Sequence, residues 1–184
     1  MEKIIVDDCP LAGVKVIRPL VFADGRGSFA EVYNRRDFAE AGMDADFVQD
    51  NCSVSRRGVL RGMHFQRRHA QTKLVRVARG AAFDAVVDLR PGSATLGRWF
   101  GLELSAENAL QLYIPAGFAH GFLSLEEDTV FCYKVDEYYA PGDEGGIIWN
   151  DPEIAVDWPL AAGESPVLSP RDAAWPAFAE SFSR

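Results

Sequence analysis

Short strand-like runs separated by turn residues are the feature that most constrains how this chain can fold. Pairs such as Asp24-Gly25 and Pro91-Gly92 separate stretches rich in β-branched and aromatic residues. The stretches are 14–20, 28–33, 47–55, 59–66, 73–79, 81–89, 98–104, 111–114, 121–125 and 129–135. Many short strands at near-regular spacing predict an all-β sandwich or barrel.

Helices are predicted to be few, short and peripheral. One begins near Asn34, which can act as an N-cap, and ends before Gly42. After Pro152 the chain is rich in Pro and Ala, which predicts coil with a short helix around 171–175. No linker, repeat or low-complexity segment divides the 184 residues, so we expect one domain over residues 1–184.

Composition excludes several classes of function. The net charge of −8 argues against a nucleic-acid binder, which needs a basic surface. The three cysteines, Cys9, Cys52 and Cys132, are widely spaced and indicate neither a disulfide framework nor a zinc knuckle. The first residues are acidic where a signal peptide would be basic, and no apolar run approaches membrane-spanning length. We therefore expect no membrane partner and a cytoplasmic location.

The run from Arg61 to Gln66 is the strongest local indication of chemistry. In an extended strand, alternation points Met63 and Phe65 to one face and His64 and Gln66 to the other. An imidazole titrates near neutral pH, which suits a base for proton transfer. A hydrogen-bonded histidine within a sheet is the alternative interpretation of this run.

A second segment, residues 114–122, resembles the second half-motif of the cupin jelly rolls through its Pro-x-Gly-x-x-His pattern ending at His120. Metal-binding cupins need His-x-His in the first half-motif, but this chain has Gln66 there, and His69 lies at the wrong offset. His64 and His120 would be the only nitrogen ligands, whereas three or four protein ligands are usual. We therefore predict a site without metal.

The wider pattern resembles the dTDP-4-dehydrorhamnose 3,5-epimerase family from about Gly13 to Asp172. The matching segments, in order, are 22–31, 48–51, 58–66, 73–77, 131–134, 138–141, 148–152 and 168–172. The resemblance implies a cupin-type jelly roll and a homodimer. It also implies cofactor-free epimerisation at C3 and C5 of dTDP-4-dehydro-6-deoxy-D-glucose to dTDP-4-dehydro-L-rhamnose.

The resemblance assigns four catalytic roles. Epimerisation next to a ketone needs a base on one face, a cation or hydrogen-bond donor at the ketone oxygen, and an acid on the other face. The family pattern implies His64 as the base and Asp172 as the carboxylate that orients it. It implies Lys73 as the cation that stabilises the enolate, and Tyr133 as the proton donor.

The resemblance also implies a set of substrate-binding residues. Arginine suits the pyrophosphate because its planar guanidinium donates two parallel hydrogen bonds, and Tyr139 would stack on the pyrimidine. N-terminal strands are expected to enter the partner's sheet, so that Arg26 and Glu31 could serve its site. The set comprises Arg26, Glu31, Gln49, Asp50, Asn51, Arg61, Gln66, His120, Tyr139, Glu144 and Arg171.

Several alternatives stay open from the sequence. The same base and acid would serve an epimerase that inverts only C3 or C5 of a related nucleotide-linked 4-keto sugar. A non-catalytic jelly-roll sugar binder would keep the arginines and Tyr139 without needing all four catalytic residues. A metal-dependent cupin oxygenase is disfavoured by Gln66. Asp84, inside an apolar strand, needs a partner, and Lys73 or His120 could provide it.

Overall fold

The computed structural model describes residues 3–182, which form mainly β-strands. In chain order the strands are β1 (Ile4–Asp8), β2 (Lys15–Pro19), β3 (Val21–Asp24), β4 (Gly27–Ala30), β5 (Gln49–Ser55), β6 (Leu60–Gln66), β7 (Lys73–Arg79), β8 (Ala81–Asp88), β9 (Trp99–Ser105), β10 (Gln111–Ile114), β11 (Phe118–Ser124), β12 (Thr129–Val135) and β13 (Glu144–Gly146). The helices are α1 (Arg35–Glu40), a 3-10 helix (Asp172–Ala174) and α2 (Phe178–Phe182). The predicted all-β class with short helices is confirmed.

Two antiparallel sheets form the body of the molecule. One sheet has six strands in the order β1-β2-β10-β7-β12-β5, and the other has five in the order β13-β6-β11-β8-β9. Strands β3 and β4 form a separate hairpin. Strands that are neighbours in a sheet are mostly distant in sequence, as expected for a jelly roll. The jelly-roll prediction is therefore confirmed.

The core lies between the two sheets because alternate residues of facing strands are apolar. Val75 and Val77 of β7 are buried against Val86 of β8 and Phe122 of β11, within one cluster of buried side chains. Burying such side chains contributes about 1.5–3 kcal/mol each to folding relative to leaving them exposed. This packing fixes the separation of the two sheets, which also carry the functional side chains described below.

Helix α1 covers the outer face of the six-stranded sheet. Asn34 is its N-cap, and the side chain accepts a hydrogen bond from the Arg36 amide. Phe38 and Met43 are buried there against Leu74 of β7. The prediction of a helix that starts near Asn34 and ends before Gly42 is confirmed.

Some elements differ from the sequence prediction. Strands β1, β3 and β13 and helix α2 were not predicted. Strand β13 is Glu-Gly-Gly, which has no local strand preference, and it forms through pairing with β6. The predicted strand 28–33 ends early as β4, and 121–125 begins earlier, at Phe118.

No helix within residues 3–182 combines the length and apolar composition needed to cross a membrane. The prediction of one domain over residues 1–184 stays a prediction, and its terminal residues 1, 2, 183 and 184 lie outside the described part.

Candidate active site

A cavity of about 610 Å³ opens between the two sheets. Three cations and two carboxylates line it, so its surface favours an anionic ligand although the whole chain is acidic. The lining residues are Ser53, Arg61, His64, Phe65, Gln66, Gln71, Lys73, His120, Phe122, Phe131, Tyr133, Tyr139, Glu144, Ser169, Pro170, Arg171 and Asp172.

Close contact between β6 and β11 places the two histidines of the cavity opposite each other. His64 pairs with His120 in the register, next to an irregularity between His120 and Phe122. A Cβ atom on Gly62, whose φ is +144°, would lie 2.5 Å from the Cα of Gly121. Only glycine permits this approach and this backbone angle. Both histidines therefore project from the five-stranded sheet.

His64 forms a pair with Asp172, as the resemblance implied. Its Nε2 lies 2.5 Å from Oδ1 of Asp172, and Ser169 Oγ donates to Oδ2 at 2.8 Å. Burial raises the pKa of Asp172, but the hydrogen bonds from His64 and Ser169 lower it by more than burial raises it. The net pKa therefore lies below its ordinary value. Because the carboxylate stays ionised, it accepts the Nε2 proton and leaves Nδ1 of His64 as the basic nitrogen.

Lys73 presents a buried ammonium to the same cavity from the six-stranded sheet. Within residues 3–182 its side chain makes no hydrogen bond or ion pair. Burial lowers its pKa from 10.5 to about 8, although the charges of Asp84 and Glu144 act in the opposite direction. The ammonium is therefore protonated at neutral pH and available to an oxygen of a ligand.

Asp84 has its hydrogen-bonding partner in His120, which settles the choice that the sequence left open. Nε2 of His120 lies 2.8 Å from Oδ2 of Asp84. Burial raises the pKa of Asp84, opposed by His120 and then by the charge of Lys73. Oδ1 of Asp84 is buried without a hydrogen-bond partner within the described chain. Lys73 thus interacts with Asp84 through charge alone.

Tyr133 reaches the cavity from β12, on the sheet opposite His64. Burial raises its pKa, so the hydroxyl keeps its proton at neutral pH. Among the described residues no group forms a hydrogen bond with that hydroxyl. Beside it, Phe122 and Phe131 stack with ring centroids 3.9 Å apart and form an apolar wall. A protonated hydroxyl on one wall and an imidazole on the other therefore line the same cavity.

The rim of the cavity carries the arginines expected to bind phosphates. Arg61 Nε donates to Ser55 Oγ at 3.1 Å, and Arg171 pairs with Glu144. Tyr139 is half-exposed at the same rim. Both guanidinium groups keep donors free of these contacts, since each guanidinium carries five N–H groups.

Gln66 lies on the cavity wall beside His64, as alternation predicted, but its carboxamide is already engaged. Nε2 donates to the carbonyl oxygens of His69 at 2.6 Å and Tyr138 at 3.2 Å. Oε1 accepts from the Ala140 amide at 2.8 Å. Gln66 therefore joins the loops 67–72 and 136–143, and it positions Tyr139 within the second of them.

Three of the expected binding residues belong to β5, and alternation divides them. Gln49 and Asn51 lie beside the cavity without lining it. Nε2 of Gln49 donates to Oδ1 of Asn51 at 2.7 Å, and Oε1 of Gln49 accepts from the Tyr139 amide at 3.3 Å. Asp50 points to the outer face, where it pairs with Lys134 at 2.7 Å. The structure does not bring Asp50 to the cavity.

Arg26 and Glu31 are not brought to the cavity of their own chain. Arg26 lies at the tip of the β3–β4 hairpin, with its side chain 91% exposed and paired with Asp24. Glu31 accepts from Lys3 at 3.0 Å and from Asn34 at 3.1 Å. Their expected role in substrate binding stays a prediction.

Sequence reasoning missed several residues of the site. Trp175 meets the His64 ring edge-on at a centroid distance of 6.0 Å, and Ser169 holds Asp172. Ser169 also accepts from the Asp172 amide at 3.0 Å, and this i, i+3 exchange resembles a helix cap. That spacing is visible in the sequence, whereas the contact with Trp175 has no local signal.

A metal centre was not expected from the sequence. Within the described range 3–182, no group of three or more His, Cys, Asp or Glu side chains is arranged to hold an ion. The absence of metal from the reaction stays a prediction.

Comparison with known proteins agrees with these observations. The two-sheet jelly roll and the polar cavity between its sheets place the chain in the cupin class. The family described as dTDP-4-dehydrorhamnose 3,5-epimerase matches residues 8–180. The chain belongs to this family.

Similar proteins include both two-carbon and one-carbon epimerases. The dTDP-4-dehydrorhamnose 3,5-epimerase of Pseudomonas aeruginosa is 54% identical over 168 residues, covering 91% of this chain and 92% of the relative. The structure of a dTDP-6-deoxy-D-glucose-3,5-epimerase of Legionella pneumophila in complex with dTDP-4-keto-L-rhamnose is 44% identical, with a TM-score of 0.91 over 95% of this chain and 92% of that one. A 3'-monoepimerase of Streptomyces bikiniensis in complex with dTDP-quinovose is 34% identical, with a TM-score of 0.87 over 95% and 89%.

Proposed function

We propose that this protein epimerises dTDP-4-dehydro-6-deoxy-D-glucose at C3 and C5 to give dTDP-4-dehydro-L-rhamnose. The observation that carries the proposal is that His64 and Tyr133 line one cavity from opposite sheets, and that the buried ammonium of Lys73 lines the same cavity. The family membership and the relatives' substrates support the same reaction.

The first step is proton removal. Nδ1 of His64 takes the proton from the carbon next to the C4 ketone, and the bonding electrons move to the ketone oxygen. The imidazolium that forms is stabilised by the Asp172 carboxylate. The ammonium of Lys73 stabilises the enolate oxygen, because a charged donor in a water-poor cavity is stronger than in bulk solvent.

The second step returns a proton to the opposite face. Reprotonation by His64 would regenerate the substrate, so inversion needs a donor on the other wall. Tyr133 is that donor, since burial keeps its hydroxyl protonated and no described residue competes for it. The reaction moves protons and leaves no net change in oxidation state, so we propose that it needs neither a nicotinamide nor a metal.

The nucleotide is held at the rim. Arg61 and Arg171 present guanidinium donors to the pyrophosphate, and Tyr139 offers a half-exposed ring on which a pyrimidine can stack. Gln49 and Asn51, next to Tyr139, provide amide groups for the edge of that base.

We propose a cytoplasmic location for this chemistry, because all three cysteines are thiols, as is usual in reducing compartments.

The configuration of the product tests the proposal. The purified protein is incubated with dTDP-4-dehydro-6-deoxy-D-glucose in EDTA, without added cofactor, and the product is examined by NMR. We expect inversion at both C3 and C5. Inversion at one carbon alone would favour the second candidate, a single-carbon epimerase. The similarity to the 3'-monoepimerase of Streptomyces bikiniensis supports this candidate. Binding without conversion would indicate a sugar-binding protein.

The pKa of Lys73 predicts the alkaline side of the pH profile. Below pH about 8 the ammonium is protonated and can stabilise the enolate, and above it the charge is lost. We therefore expect kcat/KM to fall about tenfold per pH unit above pH 8, since kcat/KM reports the free enzyme. In Lys73→Arg the fall should move to higher pH, because guanidinium stays charged. A fall at the same pH in Lys73→Arg would contradict the assignment.

The exposed hairpin supports a homodimer. Phe22 and Phe29 are 56% and 69% exposed on β3 and β4, next to Arg26, and large exposed apolar groups indicate an interaction surface. We propose that this hairpin brings Arg26 and Glu31 to the partner's cavity. A dimer is expected by light scattering at micromolar concentration.

Mixing two inactive variants tests this arrangement. If the hairpin serves the partner, a dimer of one Arg26→Ala chain and one His64→Ala chain contains one site with neither defect. After random exchange of subunits we expect recovery of about a quarter of the parent activity. Absence of recovery from two folded dimeric variants would contradict an exchange of hairpins.

A further inference from the structure

Two thiols meet on the outer face of the six-stranded sheet. Cys52 of β5 and Cys132 of β12 are directly opposite in the antiparallel register. Their Sγ atoms are 3.6 Å apart, and neither cysteine is part of the proposed reaction. Cys52 is exposed and Cys132 is partly buried.

The backbone already has the spacing that a disulfide requires. Opposite residues of antiparallel strands have Cα atoms about 4.5–5.5 Å apart. Disulfide-linked residues have Cα atoms about 4.4–6.8 Å apart. The two ranges overlap, so rotation of the side chains suffices to join the sulfurs, and the strands need not move apart or shift register.

We propose that Cys52 and Cys132 are a redox site: a peroxide converts them into a reversible cross-strand disulfide that fastens β5 to β12. Strand β5 is the edge of its sheet and has one neighbouring strand within the described chain. The bond joins residues 80 positions apart in sequence. Closing so long a loop restricts the unfolded chain, which stabilises the folded one.

The chemistry assigns a separate role to each thiol. The pKa of the Cys132 thiol is raised, mainly by burial and then by the hydrogen bond and proximity to Cys52. The charge of Arg76 lowers this pKa, and the charge of Asp50 raises it slightly. The exposed Cys52 is the sulfur that a peroxide reaches. Its thiolate attacks one peroxide oxygen and the O–O bond breaks. The other oxygen takes a proton and leaves as water, and Cys52 becomes a sulfenic acid.

Cys132 then resolves the sulfenic acid. Its sulfur attacks the sulfur of Cys52, the S–S bond forms, the S–O bond breaks, and a second water leaves. In total two thiols lose two electrons and two protons to one peroxide. A small dithiol reverses the reaction by exchange.

The disulfide lies outside the cavity, although it is next to residues that serve it. Asn51 and Tyr133 form the neighbouring register pair, and alternation directs their side chains to the opposite face from Cys52 and Cys132. We therefore expect oxidation to stabilise this edge of the site while kcat/KM stays within about twofold, because no group enters the cavity.

Treatment of the purified protein with hydrogen peroxide tests the proposal. The intact mass should fall by the mass of two hydrogen atoms, and a peptide map without reductant should join the peptides of Cys52 and Cys132. The Tm should rise by about 5–15 °C, and amide exchange in β5 should slow. Dithiothreitol should restore the original mass and Tm.

Two variants provide the controls. Cys9→Ser keeps the pair and should behave as the parent, while Cys52→Ser should show neither the mass loss nor the rise in Tm. Oxidation of Cys52 to higher acids without a bond to Cys132, or a bond only between two chains, would overturn the proposal. So would a disulfide that leaves exchange in β5 unchanged or that abolishes turnover.

Discussion

His64→Ala is expected to lower kcat by about 10²–10⁴-fold, the usual contribution of a general base. The imidazole of His64 is hydrogen-bonded through Nε2 to the ionised carboxylate of Asp172, which leaves Nδ1 free to accept a proton. Nucleotide binding should persist, because Arg61, Arg171 and Tyr139 lie at the rim and do not contact His64 through any hydrogen bond. Steady-state kinetics and calorimetric titration with dTDP separate the two effects.

His69→Ala is the matched control for that variant. His69 is exposed and its side chain does not line the cavity, so turnover should equal that of the parent. Retention of turnover within a few-fold by folded His64→Ala would contradict the assignment of the base.

Lys73→Met is expected to lower kcat by about 10²–10³-fold, comparable to the loss of an oxyanion-stabilising donor elsewhere. Lys15→Met, at a lysine that pairs with Asp8 on the outer strands, is the control and should be unaffected. Because methionine fills a similar volume, the fold should be kept. Turnover by Lys73→Met equal to that of Lys15→Met would remove Lys73 from the mechanism.

The stability of Lys73→Met provides a second measurement. The folded pKa of about 8 lies below the unfolded value of 10.5, so the protonated lysine costs the folded state about 3 kcal/mol at neutral pH. This cost is complete below pH 8 and disappears as the pH rises to 10.5, because the unfolded chain then still binds the proton that the folded one has released. The Tm of the variant relative to the parent should therefore fall between pH 8 and 10.5.

Much of the fold was predictable because strand signals are local. Lys73–Arg79, Gln111–Ile114 and Thr129–Val135 have the predicted bounds, since turn residues and β-branched residues define them. Glu144–Gly146 was not predictable in this way, because its pairing with β6 imposes the strand on two glycines.

The site was predictable only through its motifs. His64 and Asp172 are 108 positions apart, so no local pattern joins them, and the family resemblance was needed to bring them together. Alternation along β5 could have excluded Asp50, which points away from Gln49 and Asn51. Alternation placed Gln66 on the correct wall, but it could not reveal that loop carbonyls and an amide occupy its carboxamide.

The central claim is that a base and an acid on opposite walls of the cavity act in separate steps. Proton exchange in Tyr133→Phe tests this claim most directly. The variant loses only the hydroxyl and keeps His64 and Lys73, so it should still form the enolate. In deuterated water, NMR should show deuterium entering the substrate next to the ketone, while inversion becomes slow. Tyr113→Phe, on the outer face, is the control and should exchange and invert as the parent does. The account predicts a ratio of deuterium incorporation to inversion that is higher in Tyr133→Phe than in the parent. Equal loss of exchange and inversion would contradict it.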